Sequence, residues 1–196
     1  MAVYKFKTNS LKTPLKYSSF LAGNAAYDPA SFFSIATVTL TGTSTGITFT
    51  SIPSTYTHLQ LRTVTINSTS GNRLVQVGSS GSVDTGSNYY MHELWAGGSS
   101  TTSGSIIATD NIQMFYAPPS STALASSVTD ILDYTNTNKT TLLKSFGGAD
   151  LNGSGRITLS SGYWSNTATI NTLKVYPSGG NFEAGSRFAL YGIKGV

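Results

Sequence analysis

RITLS, residues 156–160, alternates polar with apolar side chains, and the same period of two runs through ITFT at 47–50 and NIQMFY at 111–116. Successive side chains of a β-strand point to opposite faces. This pattern therefore predicts strands with one face in a core and a hydroxyl-rich face outside. In RITLS, Ile157 and Leu159 are expected to face the core. Strands that alternate in this way are typical of antiparallel sheets.

Clusters of Gly, Ser, Asn and Pro separate the alternating segments and predict turns. Gly and Asn adopt positive backbone angles at little cost, and Pro presets the first corner of a turn. The predicted turns lie at residues 41–46, 67–72, 78–82, 96–100, 135–138, 151–155 and 177–181. Roughly ten to twelve short strands at this spacing predict an all-β fold, an antiparallel β-sandwich that is jelly-roll-like.

Charged side chains are scarce: only 10% of the residues are Asp, Glu, Lys or Arg, against a usual share of about 25%. The 29 Ser, 28 Thr, 20 Gly and 12 Asn supply the polar surface instead. This composition excludes a disordered polyelectrolyte and a coiled coil. No apolar run reaches the ~18 residues of a membrane span, and no secretory signal is expected at the N-terminus. The absence of Cys excludes disulfides and thiolate metal sites.

Two segments fit the alternating pattern less simply. The apolar residues change parity between Leu61 and Val64, which predicts a β-bulge near Arg62 and Thr63. Residues 123–134 place apolar side chains at helical spacing, but with the TNTN and KTTLLKSF that follow they also fit a β-hairpin. The hairpin is favoured, because Ser and Thr lower the helical propensity of the segment.

Residues 1–34 are predicted to form an extended N-terminal arm that precedes a β-sandwich domain at residues 35–196. The arm lacks alternation, yet it holds too many apolar residues for an inert linker. Residues 1–16 carry four lysines and no acidic residue, so the formal net charge of +4 belongs to the arm and residues 17–196 sum to zero. We expect the arm to dock on a partner surface, with packing along its own sandwich as the alternative. A nucleic-acid-binding domain presents Lys and Arg together with aromatic residues on one folded face. Four lysines on an arm do not form such a face, so nucleic-acid binding is not expected.

No sequence motif points to catalysis, a metal or a cofactor. GTSTG at 42–46 matches the nucleophile-elbow pattern, but a predicted strand follows it where that motif needs a helix. His92 and Glu93 lack the second histidine of a metalloprotease motif. Asp130 and Asp133 would point to opposite faces of a strand, which does not suit paired acid catalysis. The sequence therefore predicts a protein that is not an enzyme and has no catalytic, metal or cofactor-binding residues.

Aromatic residues concentrate on two of the predicted strands. Tyr89, Tyr90 and Trp95 occupy both faces of one strand, and Tyr163 and Trp164 end another. Three explanations stay open: burial in the core, which is favoured, contact with a neighbouring subunit, and stacking on sugar rings. Under the last explanation, the glycan contacts are Trp95, Tyr163 and Trp164.

Three stretches resemble virion structural proteins of tailed bacteriophages, especially short tail-fibre and appendage proteins of marine and cyanobacterial phages. They are KYSSFLAGNAAYDPASFFSIATVTL at 16–40, ITFTSIPSTYTHLQLR at 47–62 and NTLKVYPSGGNFEAGSRFALYGIKG at 171–195. The resemblance covers the two ends of the chain and leaves approximately residues 67–150 unmatched.

The resemblance implies a homo-oligomer, often a trimer, whose N-terminal segment attaches to the virion and whose C-terminal domain faces outward. The expected function is a non-enzymatic tail-fibre or appendage subunit that contacts the host surface. A capsid decoration or head-fibre protein and a carbohydrate-binding, lectin-like module are the alternatives. Expected partners are further copies of the chain, other virion proteins and, for the lectin alternative, host glycans, with no nucleic acid and no membrane insertion. The residues expected to anchor the arm to the particle are Lys5, Lys7, Lys12, Lys16, Tyr17, Phe20, Tyr27, Phe32 and Phe33.

Overall fold

The computed structural model describes residues 32–118, 120–151 and 154–194, which contain twelve β-strands and no helix. The strands are β1 (Phe32–Thr39), β2 (Ile47–Phe49), β3 (His58–Asn67), β4 (Gly71–Gly78), β5 (Tyr89–Gly97), β6 (Ser100–Thr109), β7 (Ile112–Ala117), β8 (Ser120–Leu132), β9 (Thr141–Leu151), β10 (Ser154–Trp164), β11 (Thr172–Pro177) and β12 (Arg187–Ile193). The predicted all-β class is therefore confirmed.

The strands form two antiparallel sheets, as expected for a β-sandwich. The large sheet has eight strands in the order β1-β12-β3-β8-β9-β10-β5-β6, and the small sheet has four in the order β2-β11-β4-β7. The core lies between them, and its largest buried side chains include Trp164, Tyr89, Phe115, Phe182 and Phe188. In β2 and β7 the alternating apolar residues are buried as predicted, among them Ile47, Phe49, Ile112 and Met114.

Several of the predicted turn clusters lie between strands, as their composition predicts. Those at 67–72, 96–100 and 135–138 join β3 to β4, β5 to β6 and β8 to β9. Gly98, in the turn between β5 and β6, has a φ of 58°, a left-handed conformation that glycine adopts without a steric penalty.

The favoured hairpin over residues 123–146 is confirmed, and the helical alternative is wrong. β8 pairs with β9 from Ser126 opposite Gly148 to Leu132 opposite Leu142. The helical spacing of the apolar residues has no structural counterpart, because strand pairing on both sides of β8 places the segment in the middle of the large sheet.

The β-bulge predicted near Arg62 and Thr63 is wrong. β3 pairs with β12 from His58 to Val64 without a register shift, and its irregularity against β8 lies further along, between Thr65 and Asn67. The apolar residues change parity for another reason: the strand stays regular while its apolar side chains move from the inner face to the outer face.

The first strand begins inside the segment that the sequence assigns to the arm. Residues 32–34 belong to β1 and pair with the edge of β12. Phe33 packs against Tyr56, with ring centres 5.5 Å apart, and Phe32 lies edge-on to Tyr191 at 6.3 Å. Residues 1–31, which include the rest of the predicted arm, lie outside the described residues.

Candidate assembly surface

The middle of the large sheet presents hydroxyl groups to the interior and apolar side chains to the outside. On β10, Thr158 and Ser160 are 1% and 2% exposed, whereas Ile157 and Leu159 are 48% and 53% exposed. The expectation that Ile157 and Leu159 face the core is therefore wrong. The alternation marks a strand, as predicted, but its polar side lies inside.

The same inversion extends over the neighbouring strands β3, β8, β9 and β5. On β3, β8 and β9 the inward residues of this region include buried hydroxyls, namely Thr63, Ser127, Thr129 and Ser145. The outward residues are apolar and between 37% and 55% exposed, namely Val64, Leu94, Leu124, Val128 and Phe146. A folded domain normally buries its large aliphatic side chains and exposes its hydroxyls, so this region needs a separate explanation.

Two pairs of the buried hydroxyls bond to each other across adjacent strands, and Ser160 Oγ donates to the carbonyl oxygen of Met114. Thr158 Oγ1 is buried without a hydrogen-bond partner among the described residues. The hydroxyl oxygens of Thr63 and Ser127 lie 2.8 Å apart. Thr129 Oγ1 donates to Ser145 Oγ over 2.9 Å. Each pair joins residues that face each other directly in the sheet register. Because a buried hydroxyl is costly only when it lacks a hydrogen bond, these pairs allow the inner face to be polar.

A buried arginine of the small sheet adds to this polar interior. Arg73 is 1% exposed, and it donates from Nη1 to the carbonyl oxygen of Gly71 over 2.9 Å and from Nε to Thr65 Oγ1 over 3.4 Å. Its guanidinium carbon lies 6.0 Å from the ring centre of Phe115. Burial lowers the pKa of Arg73 to about 10, so the side chain stays charged at neutral pH. A cation thus occupies space that aliphatic groups usually fill.

The sheet register sets four of the outward apolar side chains in one row, which we call the ridge. Val128 lies opposite Phe146, Phe146 opposite Leu159, and Leu159 opposite Leu94. Directly opposed residues of neighbouring strands have Cβ atoms about 5 Å apart. The ridge is therefore a continuous apolar band across β8, β9, β10 and β5.

A depression with a volume of about 950 Å³ lies beside the ridge. Its central row, which we call the groove, consists of Ser126, Gly148, Ile157 and Ala96, which again face one another in register. The row is low because three of its four members are small. At Gly148 only a glycine fits, since a Cβ there would clash with the carbonyl oxygen of Arg156 on the adjacent strand.

Charged side chains of both signs border the ridge and the groove. Arg62 and Asp150 line the depression, and Asp130 faces Lys144 in register. Arg62 Nε donates to Gln60 Oε1, and Gln60 Nε2 donates to Asp130 Oδ1, each over 2.8 Å. Arg156, which also lines the depression, is paired with Glu93. Three cations and three anions thus balance, so this border selects neither a strongly basic nor a strongly acidic partner.

Two of the predicted arm anchors lie on the large sheet. Phe32 is 44% exposed, and the Arg62 guanidinium carbon lies 5.6 Å from its ring centre and 5.3 Å from that of Tyr191. Phe33 is turned toward Tyr56. The other predicted anchors lie outside the described residues, and they are Lys5, Lys7, Lys12, Lys16, Tyr17, Phe20 and Tyr27.

A second cluster, formed by aromatic and charged residues, borders a smaller cavity of about 320 Å³. The Arg156 guanidinium carbon lies 4.0 Å from the ring centre of Trp95 and 5.0 Å from that of Tyr116. Arg156 Nη2 is 3.7 Å from Glu93 Oε1. Burial lowers the pKa of Arg156, and the Glu93 carboxylate opposes that shift. Trp95, one of the predicted glycan contacts, is half-buried at this cavity, whose aromatic and charged walls suit a sugar ring.

The two other predicted glycan contacts lie in different places. Tyr163 is on the outer face of β10, stacked on Tyr90 with ring centres 5.0 Å apart. Trp164 is 1% exposed, and its Nε1 donates to Asp84 Oδ2 over 2.8 Å. The expectation that Trp164 contacts a glycan is wrong, because its ring is enclosed by the core. The three aromatics do not form one site.

The described residues do not gather metal-ligating side chains into one cluster. They contain no group of three or more His, Asp or Glu side chains that could hold a metal ion. His92 is exposed and its neighbour Glu93 is turned to the other face of β5, as expected for adjacent strand residues. Across the same part of the chain, no helix has the length and apolar character needed to cross a membrane.

Comparison with known proteins does not identify a relative of this chain. No protein-family model matches it, and neither the curated proteins nor the solved structures contain a match.

Proposed function

We propose that this chain is a non-enzymatic structural subunit of a bacteriophage virion, part of a tail fibre or appendage. Residues 1–31, the part of the predicted arm that precedes β1, dock on the particle, and the sandwich is exposed for attachment to the host surface. The observation that supports an assembly role best is the inverted polarity of the large sheet, where hydroxyls are buried and the ridge is exposed.

The inverted polarity favours assembly because its cost is removed only when the outer face is covered. Each large apolar side chain is worth roughly 1.5–3 kcal/mol when it is fully buried, and the ridge leaves four of them about half exposed. Contiguous apolar patches of this kind mark interaction sites on soluble proteins. The virion setting comes from the resemblance of residues 16–40, 47–62 and 171–195 to phage structural proteins.

Labelling of virions tests this proposal directly. An antibody against the purified chain, followed by gold-labelled electron microscopy of purified particles of the encoding phage, should mark the tail or its appendages. Label over the head would favour the capsid decoration or head-fibre alternative. Particles that contain none of the chain by mass spectrometry would refute a virion role.

The cluster around Arg156 favours a second candidate function, a carbohydrate-binding module. Trp95 and Tyr116 flank the guanidinium at one cavity, and Glu93 lies beside the guanidinium, 3.7 Å from Nη2. If the cavity binds a sugar, Trp95→Ala should abolish a signal on a glycan array, because it removes the stacking surface. Tyr163→Ala is the matched control, since it deletes an aromatic ring from the opposite face of β10. Equal binding by both variants and the unchanged chain would rule this cavity out as the sugar site.

A further inference from the structure

We infer that the partner of the outer face is a second copy of this chain, with the ridge of one copy lying in the groove of the next. This inference rests on the proposed role as an assembly subunit and names the contact through which the subunit assembles. The ridge is Val128, Phe146, Leu159 and Leu94, and the groove is Ser126, Gly148, Ile157 and Ala96.

The shapes of the two rows fit each other. Residues two apart on a strand rise by about 7 Å along it, so the ridge and the groove are parallel rows of one face at that spacing. Two sheets that pack face to face lie about 10 Å apart and interdigitate their side chains. Such packing needs a row of large side chains, here the ridge, beside a row of small ones, here the groove, and every copy of the chain carries both. The low row is fixed by backbone geometry, since Gly148 has no space for a Cβ.

The size of the apolar area also fits a subunit contact. Seven outward side chains are between 37% and 55% exposed, namely Val64, Leu94, Leu124, Val128, Phe146, Ile157 and Leu159. At roughly 80 Å² each they present on the order of 600 Å², which is at the upper limit of what a monomer tolerates. A standard interface covers about 800 Å² per partner. The apolar area therefore supplies the centre of such an interface, and the surrounding Ser, Thr and charged residues supply its rim.

The charges agree with a copy of the same chain as the partner. Arg62 and Lys144 are balanced by Asp130 and Asp150, so the face neither repels itself nor calls for a partner of opposite net charge. Because the ridge and the groove lie side by side on one face, two copies related by a two-fold axis can each place the ridge in the groove of the other, which closes the contact as a pair. The competing occupant is residues 1–31 of the chain, which span up to about 100 Å when extended and are long enough to reach the ridge.

The mass of the full chain in solution tests the inference. Light scattering and sedimentation equilibrium should find an oligomer, and Leu159→Lys should weaken its association by on the order of 100-fold, because a charge then enters the apolar centre. Thr48→Lys is the matched control: it adds the same charge at an exposed position of the small sheet and should leave association unchanged. Near-UV circular dichroism verifies that each variant is folded. If Leu159→Lys does not fold, Phe146→Ser tests the contribution of the ridge to association instead.

Cysteine cross-linking identifies the surface, because the natural chain contains no Cys. An oxidised mixture of Leu159→Cys and Ser126→Cys chains should give a mixed disulfide between copies, whereas an oxidised mixture of Leu159→Cys and Thr48→Cys chains should not. A monomeric full chain, or an oligomer that neither Leu159→Lys nor Phe146→Ser weakens, would overturn the inference. A monomeric Leu159→Cys chain whose thiol resists thiol reagents would overturn it too, and would assign the ridge to residues 1–31. These results are independent of the virion labelling, so failure of the contact and failure of the virion role can be told apart.

Discussion

Removing the buried hydroxyl pair of Thr129 and Ser145 tests whether hydrogen bonds hold the polar inner face of the large sheet. Thr129 is 0% exposed and Ser145 is 3% exposed, and their oxygens are 2.9 Å apart. Thr129→Val keeps the shape of the side chain and removes the donor, and Ser145→Ala removes the acceptor. In either single variant the remaining hydroxyl cannot turn to solvent.

The expected magnitudes follow from this geometry. Each single variant should lower the free energy of unfolding by about 1–2 kcal/mol, because one buried hydroxyl loses its partner. The double variant replaces both groups by apolar ones and should lie within about 0.5 kcal/mol of the unchanged chain. The coupling free energy between the two positions is then about 2 kcal/mol.

Urea unfolding, followed by tryptophan fluorescence at one fixed protein concentration, measures these free energies. The concentration is held constant because association would contribute to the apparent stability. Thr102→Val is the control: this threonine is exposed on β6, and its replacement should change the stability by less than about 0.5 kcal/mol. Single variants that are both neutral, or a double variant as unstable as the sum of the singles, would refute the role assigned to the pair.

Two further predictions concern side chains that fix the core. Burial would raise the pKa of Asp84, but its hydrogen bonds, with that from Trp164 foremost, outweigh burial and hold the pKa below its usual value of 3.8. The carboxylate therefore stabilises the fold above about pH 4, and this contribution is lost as the pH falls through the lowered pKa. Asp84→Asn should lower the free energy of unfolding by about 1.5–3 kcal/mol at pH 7 and by much less near pH 2. Urea unfolding at both pH values measures the difference. Gly147→Ala should lower the free energy of unfolding by about 1–3 kcal/mol in the same assay, because its Cβ would meet Ser127 Cβ at 2.6 Å. Gly104→Ala is the control and should be nearly neutral, since the closest neighbour of its Cβ would be the flexible Glu93 side chain at 3.6 Å. A Gly147→Ala chain as stable as the Gly104→Ala chain would contradict the packing at β9.

The strands and turns are predictable from the sequence because their signals are local. A strand shows its period of two within five residues, as in RITLS at 156–160, and a turn shows a cluster of Gly, Ser, Asn or Pro between two such runs. The hairpin of β8 and β9 follows in the same way, since the TNTN cluster at 135–138 separates two runs that each suit a strand.

The direction of each strand face is not predictable from alternation alone. A period of two shows that the faces differ, but a strand turned over has the same period. Ser160, for example, bonds to the carbonyl oxygen of Met114 and lies opposite Ser145, and those neighbours come from distant parts of the chain. One signal was present: the change of parity between Leu61 and Val64 marks the point where β3 moves its apolar residues to the outer face.

The candidate sites show the same limit. Trp164 cannot be recognised as a core residue from its neighbours in sequence, because its partner Asp84 is eighty residues away. The cavity beside Trp95 depends on Tyr116 and Arg156, which lie on two other strands. Pairing of distant strands creates both arrangements, so composition and spacing could name the aromatic residues but not their surroundings.

The inverted sheet links the stability of the domain to its assembly. A buried hydroxyl pair contributes about 1 kcal/mol, less than the roughly 1.5–3 kcal/mol of each large apolar side chain that is fully buried. By placing Thr129 and Ser145 inside and Phe146 and Leu159 outside, the chain forgoes part of its hydrophobic stabilisation as a monomer. That stabilisation is recovered only when the ridge is covered, so a partner that binds the ridge also stabilises the fold. The polar interior lowers the stability of the single domain, and under the proposed contact between copies the burial of the apolar residues is completed by assembly.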